Sequence, residues 1–500
     1  MVRARLTSAG WHGDAAWSER IGRWEWAHHA VFTWNPAAWN GTAMHRPWIN
    51  VEWGWQAILA AVGFSPALWG LLAVAVLGLT VTAWWAWAPV RVTRPRVSLA
   101  LGAILLCFLS YDVAWTFRPM LLSLMAWSLL IGITLRARTR PRWWLAVPPL
   151  AALWANLHGD FLLIFAWLAF EAAWAAVLQI VPRSRGGHVG RPAAFGRYLA
   201  SAGAGALAAV VLATPHHWQT LTYSLWLSRN PWIHRHISEW QPPVPHWTPF
   251  WMLTLAITLG MALRYALAED RDALRPWWIW SVVIAVVSLS AIRYIVYLGV
   301  PLGGMFWSSA APGPARPTFS RRAWGLGVGL LTGTVLVWGH PSWPAFLATT
   351  YRPLRPVAAW LNAHPHPGLV YFNLNYAGVL EQLGVAHLYA DGRVDFFLRY
   401  STRPMTEVHW MFHPSLAVLH TLRREGVTRL LMLRPTLRRV ADLRAAHWRH
   451  VLTLDGVRLW QAPPSPSSSP ATAAPPHPTP YPWLLPIHPA HPTFVPQKGL

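Results

Sequence analysis

The sequence predicts a mainly α protein: a polytopic transmembrane helical bundle followed by a small C-terminal extracytoplasmic α/β domain. Three observations lead there. The middle of the chain is hydrophobic in long blocks. One runs from Phe161-Leu162-Leu163-Ile164-Phe165-Ala166-Trp167 to Ile180, too long for a buried strand and suited to a helix that crosses a bilayer. Only 12% of the 500 residues are charged, against about 25% in a typical soluble domain. The arginines, finally, collect in every second gap between the apolar blocks.

The charge balance narrows the function classes. Arg and Lys outnumber Asp and Glu by 41 to 18, giving a formal charge of +23. In a soluble protein this excess would suggest nucleic acid. Here the basic residues fall between apolar blocks, so no nucleic-acid partner is expected. The single cysteine, Cys107, lies inside one block, which excludes an intrachain disulfide and a Cys-based metal site. Met1 to Gly13 shows no apolar core of a cleavable signal peptide.

In chain order, residues 1–65 read as an external first loop with interfacial helices, rich in tryptophan. The bundle, residues 66–340, contains about ten spans: 66–88, 97–113, 119–135, 143–157, 160–181, 198–214, 247–267, 277–291, 295–311 and 323–340. The fourth and fifth read as a broken pair around His158-Gly159. The gaps 91–96, 136–142, 182–197, 264–275 and 316–322 hold 17 arginines, and the alternate gaps hold four. The positive-inside rule puts the first set in the cytoplasm and both termini outside. Residues 1–55 would then be exported with no helix ahead of them, drawn across by the 66–88 helix unless a first helix is missing.

Residues 352–461 change character. Val370-Tyr371-Phe372 and Arg429 to Leu433 read as short buried strands, and His413 to Arg424 has helical spacing. Val451 to Leu454, Asp455-Gly456 and Val457 to Leu459 read as a hairpin. From 462 to 500, 13 of 39 residues are proline, which reads as a disordered tail.

The polar residues that matter crowd the outer side. Asp14 and Glu52 lie among tryptophans ahead of the first span. A carboxylate there can act as general base or hold a divalent cation against a phosphate; equally, Asp14 can cap an interfacial helix. Asp112 and Asp160 stand at the outer ends of the second and fifth spans, where carboxylates are functional candidates or simply reach water. Asp112 is also placed to pair with Arg118. His158, in Trp154-Ala155-Asn156-Leu157-His158-Gly159-Asp160, suits phosphate binding or proton shuttling, or marks a tight turn. The gap 216–246 holds His216, His217, His234, His236 and His246, and Glu239, just after His234-Arg235-His236, reads as a site carboxylate. Two of these histidines with Glu239 offer a metal set, although histidine is abundant throughout, 23 in all. Arg229, Arg235 and Arg293 are nearby cations for an anionic headgroup. Asp391-Gly392-Arg393 reads as a turn.

Several of these segments together resemble a bacterial family of uncharacterised polytopic membrane proteins, itself similar to the GT-C type glycosyltransferases that use lipid-phosphate-linked sugars. They are Gly13-Asp14 through Glu19-Arg20-Ile21-Gly22-Arg23-Trp24, Pro47-Trp48-Ile49-Asn50-Val51-Glu52-Trp53, Phe117-Arg118-Pro119, Trp154 to Gly159, Ile237-Ser238-Glu239-Trp240-Gln241-Pro242, Arg293 and Asp391-Gly392-Arg393. The resemblance runs from about residue 10 to 461. It implies a GT-C-like bundle in the bacterial inner (cytoplasmic) membrane and a polyprenyl-phosphate-linked sugar as lipid partner. Asp14 would be the acidic residue of the first external loop and Asp112 that of the next turn. The resemblance also implies a possible divalent cation, Mg or Mn, with Asp14, Asp112 and Glu239 as candidate ligands. The chain departs from the family in lacking a helix before the first loop. It also carries Asn375-Tyr376-Ala377-Gly378 where members have adjacent glycines.

The expected function is glycosyl transfer at the extracytoplasmic face. Asp14, Glu52, Asp112 and His158 form the catalytic set, and Arg118, Asp160, Arg235, Glu239 and Arg293 bind substrate. A transporter of a lipid-linked or anionic substrate is the alternative, and a non-catalytic envelope assembly scaffold is another.

Overall fold

The computed structural model describes residues 13–33, 47–63, 118–180, 192–242, 271–301, 352–366, 368–372, 374–390, 393 and 416–464, with a few residues between 75 and 86. Cys107, Asp112, Asp391-Gly392, the spans read at 97–113, 247–267 and 323–340, and the chain after 464 lie outside the described residues.

Two helices come from the N-terminal segment, α1 (Gly13–His28) and α2 (Trp53–Val62). They meet backbone to backbone at Gly22, where a Cβ would lie 2.0 Å from the Gln56 carbonyl oxygen. No other residue fits there without moving one helix. Gly54 approaches the bundle in the same way, its missing Cβ 2.7 Å from the carbonyl oxygen of Asn156. The Trp53 indole donates to the Asn156 side chain at 2.7 Å and fixes that contact.

The hub is α3 (Met120–Thr139), which buries Leu121, Leu124, Trp127, Leu130, Ile131, Ile133 and Ala137. A helix apolar all round belongs in the middle of a bundle. Its hydroxyls are satisfied locally: Ser128 and Thr134 donate to the carbonyls of Leu124 and Leu130 at 2.8 and 2.9 Å. A 3-10 turn (Pro141–Ala146) leads into α4 (Val147–Leu157), with prolines at both starts, where the missing N–H is no loss. Then His158 turns extended, at φ −165 and ψ 146, and a second 3-10 turn (Gly159–Phe161) restarts the chain into α5 (Leu162–Ile180). The polar break read in the sequence is therefore a break in the helix.

Helix α6 (Pro192–Ala213) lies on α4 through a seam of small residues. Ala202, Ala206 and Val210 recur every fourth position and are fully buried, and a Cβ on Gly205 would meet Pro148 at 2.7 Å. Such seams let helices pack closely where lipid offers no hydrophobic drive. Among the described residues three stretches, Met120–Thr139, Gly159–Ala176 and Phe195–Ala213, are long and apolar enough to cross a membrane. Of the first, 72% is buried inside the protein, against 28% and 22% for the others. The last of these turns Leu207 and Leu212 outward.

Helices α7 (Trp218–Arg229) and α8 (Pro231–His236) follow, with Asn230 capping α8 by accepting from the amides of Trp232 and Ile233. A 3-10 turn (Ser238–Trp240) ends this segment. After α9 (Arg271–Ser288) comes a further 3-10 turn (Ile292–Leu298), where the sequence suggested the start of a regular span at 295.

The C-terminal part contains α10 (Arg352–Ala363), β1 (Leu369–Tyr371), α11 (Leu374–Gln382), α12 (Leu416–Arg424), β2 (Val427–Leu433), α13 (Leu437–Ala445), β3 (Arg449–Leu454) and β4 (Val457–Gln461). Among the described residues the sheet has four strands in the order β1-β2-β4-β3. The β1–β2 pair is parallel and the other two pairs are antiparallel. The hairpin turn is Asp455-Gly456, with φ of 46 and 82, the left-handed pair that a tight two-residue turn requires. Helix α11 sits on α1: Arg20 donates to the Glu381 carbonyl, and Gln382 to Glu19 at 3.3 Å. Arg393, fully buried, lies 5.9 Å from the Trp17 ring and 5.4 Å from the Trp48 ring, with Glu381 at 3.8 Å.

Candidate active site

Helix ends deliver charged residues to one place. Asp14 is in the first turn of α1, and Glu52 stands just ahead of α2. Arg118 lies just ahead of α3. His158 and Asp160 occupy the break between α4 and α5, Glu239 the turn after α8, and Arg293 the turn after α9.

Their side chains form one series of alternating charge. Arg118 Nη2 contacts Asp14 Oδ2 at 2.9 Å, and Arg118 Nη1 donates to Glu239 Oε2. Arg293 Nη1 lies 3.6 Å from the other oxygen of Glu239, and its Nη2 lies 3.6 Å from Asp160 Oδ2. His158 Nδ1 is 3.3 Å from the same Asp160 oxygen, and His158 Nε2 is 3.6 Å from Glu52. Neutral groups brace the series. Tyr297 donates to Asp160 at 2.6 Å, the Trp17 indole to Asp14 at 3.3 Å, and the Trp154 indole to Ser123 Oγ at 2.8 Å. Ser123 Oγ is in turn 2.8 Å from His158 Nδ1. Arg293 is stacked over Trp240, 4.3 Å from the ring centre.

Burial sets the protonation of the histidine. His158 is pushed down to about 4, because desolvation of the imidazolium outweighs the pull of Asp160. At neutral pH the ring is therefore uncharged. Both ring nitrogens face a carboxylate, and the nearer one, Asp160 at 3.3 Å, favours the proton on Nδ1, where Ser123 Oγ stands ready to accept it. That leaves the Nε2 lone pair facing Glu52, at a separation too long for a direct hydrogen bond. Glu239, ahead of Asp14, holds the guanidinium of Arg118 firmly protonated.

A second polar network stands behind Glu52. Asn50 accepts from the Glu52 amide at 3.2 Å and pairs with the Gln56 amide side chain at 2.7 Å. Its own amide donates to His216 Nε2 at 3.1 Å. Its Nδ2 donates to Glu25 at 3.1 Å, and Glu25 also accepts from the Phe32 amide at 3.1 Å. Burial pushes the Glu25 carboxyl up to about 8 against these hydrogen bonds.

Of the residues singled out in the sequence, Asp14, Glu52, Arg118, His158, Asp160, Glu239 and Arg293 come together. Arg235 stands apart: it is exposed on α8, and its carbonyl accepts from Gln241 at 2.6 Å. Arg118 pairs with Asp14 and Glu239, and Asp112 is outside the described residues. The three described histidine side chains of that group go to separate places, and those of His236 and His246 lie outside the described residues. His216 caps Asn50, His217 meets the Val211 carbonyl, and His234 bridges the carbonyls of Trp240 and Ser228. Among the described residues no three His, Cys, Asp or Glu are arranged to hold a metal. Between Asp14 and Glu239, the two described metal candidates, lies the guanidinium of Arg118. These two described donors, with a guanidinium between them, do not fit a dication as arranged, and Asp112, the third candidate, lies outside the described residues.

The sequence reading missed Tyr297, Ser123, Trp240 and Glu25. Tyr297 follows Arg293 by four positions in a 3-10 turn, where residues three apart share a face, so its spacing was no local signal.

No family model matches the chain, and no curated protein does. Solved structures do. An archaeal oligosaccharyltransferase, AglB from Archaeoglobus fulgidus in complex with an inhibitory peptide and a dolichol-phosphate, matches with a TM-score of 0.50 at 12% identity. The match covers 85% of this chain and 66% of that one, so the chain spans just under two thirds of its length. A second Archaeoglobus fulgidus oligosaccharyltransferase structure, tethered to an acceptor peptide, gives a TM-score of 0.46 at 12% identity, covering 83% and 64%. The fold is similar to that of an oligosaccharyltransferase, a GT-C type enzyme.

Proposed function

We propose that the protein is a multi-pass glycosyltransferase of the bacterial inner membrane, moving a sugar from a polyprenyl-phosphate donor to an acceptor hydroxyl at the extracytoplasmic face. One observation carries this reading: Arg118 and Arg293 converge beside a neutral imidazole at one end of an apolar bundle. The fold likeness supports the class, since the archaeal neighbour was solved with a dolichol-phosphate. The basic pair Arg136 and Arg138 lies at the far end of α3, which fits a cytoplasmic end opposite the site.

In this reading the acceptor oxygen attacks the anomeric carbon, and the bond from that carbon to the phosphate oxygen breaks. The phosphate leaves with the electron pair, and the two arginines meet its growing charge. The hydroxyl proton passes to His158 Nε2 or to Glu52, which converge on one point. Asp160 holds the ring in the Nδ1–H form and steadies the imidazolium once it forms, as the carboxylate does in a Ser-His-Asp triad. Asp14 is engaged by Arg118 and Trp17, so it serves as an anchor for Arg118 rather than as the base.

The test is transfer by purified protein from polyprenyl-phosphate sugars, with Arg293→Ala and His158→Asn beside the wild type. Transfer by the wild type and its loss in both variants is expected. Full transfer in both variants would remove this site from the reaction.

A further inference from the structure

Each arginine of the site has one end on a carboxylate of its own and one end on the shared Glu239. Arg118 Nη2 is held by Asp14 at 2.9 Å, and Arg293 Nη2 faces Asp160 at 3.6 Å. Their Nη1 groups both turn to Glu239, one to each carboxylate oxygen. A carboxylate that spans two guanidinium groups, one oxygen to each, occupies the position a phosphate would take between them. Both arginines also keep a buried Nε–H with no hydrogen-bond partner among the described residues. Buried donors left unmade are costly, and a ligand with three or four oxygens can satisfy more of them than a carboxylate can.

Glu239 is also the member best able to leave. Its side chain is 37% exposed, against 9% for Asp160, and it rides on a three-residue turn rather than on a helix. Arg293 is held by Trp240 of the same turn and by Asp160 of the α4–α5 break, so a rotation of the Glu239 side chain alone leaves it in place.

We infer that Glu239 is an internal occupant of an oxyanion site formed by Arg118 and Arg293, and that a phosphate group binds there by displacing it. This rests on the transfer reading for the identity of the phosphate but not for the exchange itself. The carboxylate keeps the two cations neutralised and ordered while the site is empty of donor, and it swings out as the phosphate enters. The same exchange makes the site selective, because a neutral or singly charged group gains less by evicting it.

The experiment measures binding of inorganic phosphate, and separately of a short-chain polyprenyl phosphate, to the full chain in detergent. Wild type, Glu239→Gln and Arg118→Ala are compared by calorimetry, with unliganded thermal midpoints as a folding control. In Glu239→Gln the competing charge is gone, so inorganic phosphate should bind about tenfold tighter, equivalent to about 1.4 kcal/mol. Phosphate should also raise that variant's thermal midpoint more than it raises that of the wild type. Arg118→Ala should lose the binding. Should Glu239→Gln not fold, Glu239→Asp, which shortens the reach by one methylene, should show the same direction. Equal or weaker phosphate binding in the Glu239 variants overturns the exchange, even if polyprenyl phosphate binds and sugar is transferred. Tighter binding of both ligands without any sugar transfer supports the exchange and removes the enzyme reading instead.

Discussion

Arg118 and Glu239 are 121 positions apart in the chain and meet in a direct charge-assisted hydrogen bond. The contact joins the segment that enters α3 to the turn that follows α8, and through the other face of Arg118 it reaches α1. A pair of this kind, one-third exposed on each side, adds little to stability by itself. Its value lies in what it lines up.

Arginine geometry should therefore matter more than charge. Arg293→Lys keeps the positive charge but loses the fork that spans Glu239 and Asp160 and the flat stack on Trp240. Transfer should fall by roughly 10²-fold or more, the scale seen when one donor to a developing charge is removed. Initial rates at saturating donor check this, and a lysine variant with wild-type rates would contradict it.

Removing the proton acceptor should act on turnover more than on binding. His158→Asn and Glu52→Gln should each lower kcat by about 10²- to 10⁴-fold with modest changes in KM. With His158 at about 4, the ring stays neutral through the range where an ordinary histidine titrates. The rate should show no inflection near pH 6.5 and should fall only as the pH drops towards 4. A rate that halves near pH 6.5 and follows His158 would contradict the buried neutral ring.

Glu25 makes stability pH-dependent in a defined window. Its folded value of about 8 lies above its ordinary 4.5, so the folded state holds a proton that the unfolded state releases. This contribution is complete below pH 4.5 and is lost as the pH rises through about 8. Glu25→Gln should flatten the decline, with most of the gain at the alkaline end. Thermal midpoints of both proteins in detergent between pH 5 and 9 check it, and parallel curves would contradict it.

Gly22 should tolerate no side chain. Gly22→Val places carbon atoms inside the Gln56 carbonyl, so α1 and α2 must separate. Overpacking of this kind typically costs about 1–3 kcal/mol. Both the thermal midpoint and transfer should drop, because Asp14 and Glu52 ride on the two helices. An unchanged midpoint would mean that the helices are not in this register.

Sidedness is testable by fusion. A reporter after Arg140 should read as cytoplasmic and one after Arg458 as external, from the alternation of arginine-rich gaps. The same result at both positions would reverse the orientation of one half.

The sequence announced which residues matter better than it announced their partners. Asp14, Glu52, His158, Asp160, Glu239 and Arg293 are polar residues in or beside long apolar blocks, where burying them is expensive enough to demand a reason. Pairing was not legible. Arg118 is held by Asp14, 104 residues away, because helix ends bring distant segments together, and its pairing with Asp112 lies outside the described residues. Arg235 looked equivalent to Arg293 as a cation in an outer gap. On α8, however, its neighbour His234 takes the inward side and Arg235 is left exposed. Glu25 was overlooked because Arg23-Trp24-Glu25-Trp26 reads as an ordinary half-exposed helix. Only the packing of Phe32 and Asn50 against it shows the burial. The strands and the hairpin turn were legible because alternation and Asp455-Gly456 are local signals.

The contacts of α1 with Glu381, Gln382 and Arg393 have a consequence for the order of events during synthesis. Helix α1, which bears Asp14, is made more than 340 residues before the α11 residues it packs against. Until then Trp17 and Trp48 have no Arg393 to close on, and the outer face of α1 is bare. A nascent chain halted before α11 would carry Asp14 on a helix whose Glu19 and Arg20 still lack their partners, and only synthesis of the α/β segment would supply them.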